Sequence, residues 1–270
     1  MRNIRLKSLA LLACGLAGIH ASATAGVVVI GSLVRNKNVR PGETFEDMVL
    51  LKNTGGEPAE VKMSQTDYVF HADGRDLYGE PGTTPRSNAR WISVAPSQVT
   101  IPAHEIAGVS YRVTVPPQDD LAGTYWSMLM IEPVALPVVR AANEDTGMRV
   151  QTIVRFAVQI VTEVGNGGGG TLRVTDKRLS LEGPKRLFLL DAENASDRVT
   201  IPAIWVELFN KEGISVGKFE GERLRVYPAC SVRYHVDVSK VPPGQYTALV
   251  ILDNGDDHVM GAQYDMAIPR

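Results

Sequence analysis

Apolar and polar residues alternate along most of this chain, and this period of two limits its fold more than any other feature. In the segment 106–115, for example, residues 107, 109, 111, 113 and 115 are apolar or aromatic. Successive side chains of a β-strand point to opposite faces, so this pattern suits strands with one buried face. Long stretches with apolar residues at three- and four-residue spacing, which would indicate helices, are missing. We therefore predict an all-β protein.

Turn-forming residues separate the predicted strands, and a run of Gly-Asn-Gly-Gly-Gly-Gly at 165–170 separates two sets of them. The strands predicted for the first set are 27–34, 44–53, 59–69, 90–94, 106–115, 124–131 and 148–164. Those predicted for the second set are 172–181, 187–193, 203–210, 214–218, 222–226, 232–238, 244–252 and 260–267. We therefore predict domains at 26–164 and 171–270, joined by a linker at 165–170.

The two halves of the chain resemble each other. Each has a Leu-Leu strand that leads to an asparagine, Asn53 in one half and Asn194 in the other. Each also has a later Gly-x-Tyr motif, which contains Tyr125 or Tyr246. A tyrosine in this position resembles the tyrosine corner of immunoglobulin-type sandwiches. The internal repeat therefore predicts two immunoglobulin-like β-sandwich domains in tandem.

The N-terminus has the order of a secretory signal peptide. An apolar segment at 8–19 precedes a small-x-small site that ends at Ala25. Three basic residues come before that segment, namely Arg2, Arg5 and Lys7. The segment is shorter than the roughly 20 residues that a membrane-spanning helix needs. We predict cleavage after Ala25, export and no membrane span; a lipoprotein cut before Cys14 is the alternative.

Composition argues against several classes of function. Removal of the signal peptide takes away three basic and no acidic residues, which changes the formal net charge from −2 to −5. Such a chain lacks the basic surface expected of a nucleic-acid-binding protein. The histidines are scattered without metal-ligand spacing, and Cys230 is predicted to be a buried structural thiol. We predict no catalytic residues, no metal and no cofactor, and hence no enzyme.

The predicted strand 148–164 is far longer than the usual five or six residues. Its apolar face begins with Met148, Val150, Thr152 and Val154. One interpretation is an ordinary last core strand with a loop before it. The other is that the first half of the strand overhangs its sandwich and lends its apolar face to a partner, because a long edge strand offers unpaired backbone groups and side-chain anchors.

Several segments carry a family resemblance. They are Trp91-Ile92-Ser93-Val94-Ala95-Pro96, Val99-Thr100-Ile101-Pro102, the strand 108–115 and the segment 124–133, which ends in Ile-Glu-Pro. On these residues the chain resembles the periplasmic pilus-assembly (fimbrial) chaperones, which have two immunoglobulin-like domains behind a signal peptide. The resemblance implies a periplasmic, cofactor-free protein whose partners are a secreted pilin-like subunit and an outer-membrane usher.

The same resemblance implies roles for particular residues. Chaperones of this family donate the last strand of the first domain to a subunit, and Met148, Val150, Thr152 and Val154 correspond to the donated stretch. They also clamp the subunit's terminal carboxylate between two cations, and Arg35 and Arg155 are the nearest candidates here. An arginine fork can hold a carboxylate with two hydrogen bonds.

A second resemblance leads to a different function. Envelope proteins of Gram-positive bacteria that bind peptidoglycan or surface proteins share a Pro-Gly turn, an Asn-ended strand and a Gly-x-Tyr strand. Pro41-Gly42, Asn53 and Tyr246 fit that plan. The alternative is therefore a cell-envelope scaffold. The segment 71–88, an addition to the first half, is either a binding element or a tolerated surface insertion.

Overall fold

The computed structural model describes residues 26–134, 153–165, 170–255 and 259–269. The predicted signal peptide, the candidate residues Met148, Val150 and Thr152, and the linker residues 166–169 lie outside the described residues. The described chain consists of β-strands and one 3₁₀ turn, Ala89–Trp91. It contains no helix with the length and apolar character that crossing a membrane would require. The all-β prediction is confirmed.

Strands β1 to β10 build the first sandwich. They are β1 Val27–Ile30, β2 Val34–Val39, β3 Thr44–Asn53, β4 Ala59–Phe70, β5 Asp76–Gly79, β6 Ile92–Ala95, β7 Gln98–Ile101, β8 Ile106–Thr114, β9 Gly123–Pro133 and β10 Phe156–Val164. One sheet has the order β1-β3-β8-β6, and the other has the order β2-β10-β9-β4-β5, with β7 also paired to β4. The core lies between the sheets, where Leu51, Val113, Ile131 and Ile160 are almost fully buried.

The first predicted strand, 27–34, ends at Ile30 in the structure, and its last residue, Val34, begins β2, which lies in the other sheet and was not predicted beyond that residue. β1 pairs antiparallel with β3, whereas β2 pairs parallel with β10. The chain changes direction at Gly31, whose φ of 92° lies in the region that glycine enters without steric cost. Alternation alone gives no sign of this break, because apolar residues continue on both sides of it.

Other predicted strands also differ from the structure. Segment 90–94 is divided between the 3₁₀ turn and β6, and segment 222–226 contributes only an isolated bridge from Val226 to Thr200. β5 and β7, with four residues each, were not predicted. These short elements are fixed by their pairing with β4, which is a tertiary contact and leaves no periodic pattern in the sequence.

Strands β11 to β17 build the second sandwich. They are β11 Leu172–Glu182, β12 Lys185–Asn194, β13 Ala203–Phe209, β14 Ser215–Glu220, β15 Ser231–Asp237, β16 Gly244–Asp253 and β17 Val259–Ile268. The sheets have the orders β11-β12-β15 and β14-β13-β16-β17. Leu190, Ile204, Tyr234 and Val250 are among the buried residues between them. The prediction of two immunoglobulin-like sandwiches is confirmed.

The repeated asparagines have the same role in both sandwiches. Asn53 is buried, and its side-chain amide donates to the main-chain oxygen of Ile101 at 3.0 Å while its oxygen accepts from Gly55 N. Asn194 is also buried and donates to Val226 O at 2.7 Å while it accepts from the main chain two residues on. Each asparagine therefore ties the turn after its strand to a neighbouring segment, which explains the sequence repeat.

The repeated tyrosines differ. The Tyr246 hydroxyl donates to Pro242 O at 2.8 Å, which is the bond expected of a tyrosine corner. The Tyr125 ring instead lies 4.6 Å from the Trp91 ring, with the Arg86 guanidinium 5.1 Å from its centre. The tyrosine corner predicted from the sequence is thus formed in the second sandwich, whereas Tyr125 packs against the insertion side of the first.

Aromatic residues join the two sandwiches. The Trp126 ring of β9 stacks on the Tyr227 ring with centroids 4.7 Å apart, and the edge of Tyr227 meets Phe70 at 6.1 Å. Val161 and Cys230 complete this buried cluster. Burial raises the pKa of the Cys230 thiol to about 11, so the thiol stays protonated at neutral pH. The predicted buried, structural Cys230 is confirmed.

Polar groups reinforce the junction beside the aromatic cluster. Thr124 N donates to Asp197 O at 2.8 Å, and the Thr124 hydroxyl accepts from Val199 N at 2.7 Å. The same hydroxyl donates to the Glu163 carboxylate, which lies 3.5 Å from the Arg198 guanidinium. Apolar burial, main-chain bonds and an ion pair therefore all hold the two sandwiches in one arrangement.

Candidate functional site

The described part of the predicted strand 148–164 is 153–164, and only Phe156–Val164 of it forms a strand, β10; the prediction is wrong for 153–155. Val158 and Ile160 are buried in the first core and Phe156 packs against it, as the alternation predicts. Residues 153–155 precede the strand and are exposed. Ile153 is 43% exposed and Val154 is 55% exposed. Two large aliphatic side chains therefore lie in solvent where the chain enters β10.

Among the described residues, one edge of β10 has no partner strand along part of its length. β9 pairs with β10 from Phe156 to Val164, but β2 pairs with it only from Gln159 onward. Gln159 N donates to Leu33 O at 2.7 Å, which closes the edge at that point. An added strand could therefore pair with β10 as far as Val158 and would end against Leu33.

The two candidate cations lie apart. Arg155 is on the surface, where its guanidinium is 3.5 Å from the Glu132 carboxylate. Arg35 pairs in register with Ile160, five positions along β10 from Arg155. Its Nε atom is buried and has no hydrogen-bond partner in the part of the chain that the structure describes. The structure does not bring Arg35 and Arg155 together.

Arg35 lines a pocket of about 440 Å³ between the edges of the two sheets. The pocket opens there because β1 pairs with β3 only from Leu50 to Asn53 and leaves the start of β3 without a neighbour on that side among the described residues. The other lining residues are Val34, Asn36, Lys37, Phe45, Glu46, Asp47, Tyr111 and Ile160. The pocket thus combines apolar side chains with cations on β2 and carboxylates on β3.

The polar groups of this pocket interact with one another. The Tyr111 hydroxyl donates to the Asp47 carboxylate at 3.0 Å. Burial raises the pKa of Tyr111, and the hydrogen bond to Asp47 raises it further, whereas the nearby Arg35 charge lowers it. Asp47 is therefore already engaged by Tyr111. The buried Nε atom of Arg35, in contrast, has no hydrogen-bond partner among the described residues.

Lys37 is a cation that the sequence reasoning missed. It lies two positions after Arg35 on β2 and lines the same pocket. The family resemblance implies a second cation on the last strand of the domain, whereas the second cation of this pocket is on the same strand as the first. The spacing of two between Arg35 and Lys37 was the available signal, because residues i and i+2 share one face of a strand.

The insertion 71–88 is fastened to the first sandwich by Asp67, which is fully buried. The Asp67 carboxylate accepts from the main-chain N–H groups of Gly82, Thr83 and Thr84 and from the Ser87 hydroxyl. Burial acts to raise the pKa of Asp67, but these hydrogen bonds, led by that of Ser87, hold it below its usual value. The loop after β5 therefore has a fixed conformation around one carboxylate.

A second buried side chain fixes the end of the insertion. The Asn88 amide donates to Ile160 O at 2.9 Å, and its oxygen accepts from the Ser127 hydroxyl at 2.7 Å. Arg86 O also accepts from Trp126 N at 2.9 Å, so the insertion occupies the edge of β9 beyond its pairing with β4. This segment is thus an integral part of the sandwich.

Over residues 26–134, 153–165, 170–255 and 259–269, His, Cys, Asp and Glu side chains form no group of three or more that could hold a metal ion. Asp47, Asp67 and Asn88 are instead paired with hydroxyl or main-chain groups. The candidate site is therefore a surface of strand edges and one charged pocket.

Comparisons with known proteins found no matching family model and no matching curated protein. Solved structures do match. They include a chaperone–tip adhesin complex of CFA/I fimbriae (11% identity, TM-score 0.49, 91% of this chain and 100% of that chain). The class 5 fimbriae chaperone CfaA matches at 12% identity and a TM-score of 0.46, over 91% of this chain and 100% of that chain. The E. coli chaperone DraB matches at 13% identity and a TM-score of 0.43, over 90% of this chain and 98% of that chain. These three solved structures, to which the chain is similar at 11 to 13% identity, are two chaperones and a chaperone complex.

Proposed function

We propose that the chain is a periplasmic chaperone, exported with cleavage after Ala25, that binds secreted pilin-like subunits by strand addition. The observation that carries this proposal is the free edge of β10 up to Val158, preceded by the exposed Ile153 and Val154. Exposed apolar residues beside an unpaired strand edge offer main-chain bonds and side-chain anchors to a partner strand. Residues 26–164 and 171–270 are the two domains in this proposal, and an outer-membrane usher is the second partner.

The donated stretch in this proposal continues from Val154 through Thr152 and Val150 to Met148. Val154 comes two residues before Phe156 and four before Val158, whose side chains face the core of the first sandwich. In an extended strand it therefore projects to the face that would fill the core of the subunit. Ile153 projects to the opposite face and provides a matched control.

Replacing Val154 with aspartate should abolish subunit binding. A carboxylate placed in an apolar groove without a partner costs several kcal/mol, so we expect at least a tenfold drop in the pilin-like subunit that co-purifies after co-expression. The thermal midpoint of the free protein should stay unchanged, because Val154 is exposed. I153D should retain much more binding. Equal recovery of the subunit with V154D and wild type would contradict strand addition.

The pocket beside Leu33 gives the second element of the proposal. A subunit strand that pairs with β10 would end near Leu33, and Arg35 follows on β2 with an Nε atom that has no hydrogen-bond partner among the described residues. The subunit's terminal carboxylate is the anionic group that this geometry suits best. In this proposal Arg35 and Lys37 hold it, and Arg155 remains in its surface ion pair with Glu132.

Replacing Arg35 with alanine should weaken subunit binding by about 10- to 100-fold, which is the usual range for losing a charge-assisted hydrogen bond worth 1.5–3 kcal/mol. R155A should change it by less than about fivefold, since exposed ion pairs contribute 0–1 kcal/mol. Affinities can be measured by calorimetry with a peptide of the subunit's terminal strand. A peptide with an amidated terminus should bind R35A and wild type equally. Loss of binding in R155A but not in R35A would mean that Arg155, and not Arg35, holds the terminal carboxylate.

A further inference from the structure

The insertion carries a second strand edge that the proposed function does not use. β5 is the last strand of its sheet, at the opposite end from β2 and β10, and its neighbour in the described structure is β4. Leu77 is 52% exposed and Tyr78 is 58% exposed. Because Asp67 fixes the loop that follows, this edge is rigid. A rigid exposed edge with large apolar side chains loses little conformational entropy when it binds.

Aromatic rings support this edge from the domain junction. The Tyr78 ring lies 5.0 Å from the Tyr68 ring, which lies 5.5 Å from Phe70. Phe70 contacts Tyr227 in the buried cluster between the sandwiches. The Tyr68 hydroxyl donates to the Asp76 carboxylate at 3.0 Å, which fixes the ring against β5. The exposed Tyr78 is therefore the outer end of an aromatic row that begins in the interior.

The charged residues around β5 indicate which kind of strand could pair with it. Asp73, Asp76 and Glu80 are exposed around the strand, and Arg75, the one cation of the hairpin 71–80 besides His71, is bonded to Asp73. A second copy of the chain paired edge to edge would bring these carboxylates together, and like charges opposite each other destabilise a strand pair. A basic strand would instead be attracted, so the charges favour a heterologous partner.

We propose that the free edge of β5 is a second strand-binding site, which takes an extended segment in which basic residues alternate with aliphatic ones. The aliphatic residues would pack on Leu77, and the basic residues would face Asp76 and Tyr78, which share the other face of the strand, with Glu80 just beyond its end. This site goes beyond the proposed function and is independent of β10, because the two edges lie on opposite sides of the same sheet. One protein molecule could therefore hold a client at β10 and a second segment at β5.

The test is a titration of the ¹⁵N-labelled mature protein with an acetylated and amidated Lys-Val-Lys-Val-Lys-Val peptide, followed by NMR. A four-residue edge offers few main-chain bonds, so we expect a dissociation constant of about 1 mM. Shifts should be concentrated in β4 and β5. Y78S should bind about fivefold more weakly, as expected for the loss of a cross-strand pair of up to 1 kcal/mol. L181S, which alters a 61% exposed leucine on the edge strand β11, should bind like wild type.

Several results would overturn this proposal. They are the lack of any shift in β5 at 5 mM peptide, equal binding of a Glu-Val-Glu-Val-Glu-Val peptide, and unchanged affinity of Y78S. Concentration-dependent dimerisation that Y78S abolishes would also overturn it, because a second copy would then occupy the edge. V154D should leave this titration unchanged. Failure at β5 is thereby distinguished from failure of the proposed subunit binding at β10.

Discussion

Replacing Asp67 with asparagine should lower the free energy of unfolding of the first sandwich by about 3–5 kcal/mol, the upper end for single substitutions. The carboxylate accepts from three main-chain N–H groups and one hydroxyl while fully buried. An asparagine turns an NH₂ group toward some of these donors and leaves them without an acceptor. Denaturant unfolding with wild type and D119N, an exposed aspartate of the same sandwich, measures the difference. Equal midpoints for D67N and D119N would contradict this account.

The same carboxylate predicts a pH dependence. Because its hydrogen bonds lower the pKa of Asp67 in the folded state, its stabilisation is fully present above the unfolded value of about 3.9. It is lost as the pH falls through the lower, folded pKa. Between neutral pH and the acid range, wild type should therefore lose more stability than D67N, and the two unfolding curves should converge. If the difference in free energy of unfolding between wild type and D67N stays constant down to pH 2, the effect of D67N comes from packing alone.

Replacing Tyr227 with alanine should uncouple the two sandwiches and cost about 3–5 kcal/mol, as for large-to-small substitutions of buried aromatic residues. The ring is buried, stacks on Trp126 and meets Phe70 edge-on. Without it the junction keeps mainly its polar contacts. We expect two separate calorimetric transitions in Y227A and a larger radius of gyration by small-angle X-ray scattering.

Phenylalanine at the same position is the matched control. Y227F keeps the stacking and removes only the hydroxyl, which donates to the Gln159 side chain at 2.9 Å. It should cost about 1 kcal/mol and leave the scattering profile unchanged. If Y227A also unfolds in one transition with an unchanged profile, the polar contacts of Thr124, Glu163 and Arg198 are sufficient to hold the junction.

The features that could be predicted from the sequence are those carried by local periodicity and by the repeat. Alternation identified the long strands, and the matched Asn53 and Asn194 identified two similar sandwiches. Both asparagines prove to be buried and bonded across their domains. The change of sheet at Gly31 could not be predicted, because it depends on which strand each half of the segment meets. The same limit applies to β5 and β7.

The candidate site likewise has features that could be predicted from the sequence and features that could not. The exposed Val154 lies within the segment 148–164 that the alternation selected, two residues before β10 begins. The free edge before Gln159, however, depends on where β2 begins to pair, which is a matter of register between segments more than 100 residues apart. Asp67 was likewise missed, since its donors lie 15 to 20 residues further on and three of them are main-chain groups. Main-chain groups are present in every sequence and so carry no signal.

The bond from Gln159 N to Leu33 O has a consequence for how the protein would treat different clients. This bond ends the unpaired edge of β10 at a fixed residue. The register of a bound strand would therefore be set by the position of that strand's end and not by its side chains. Subunits with different side chains but terminal strands of equal length would then sit in the same alignment. Such a chaperone would select subunits by the length of their terminal strand and would tolerate different side chains in it.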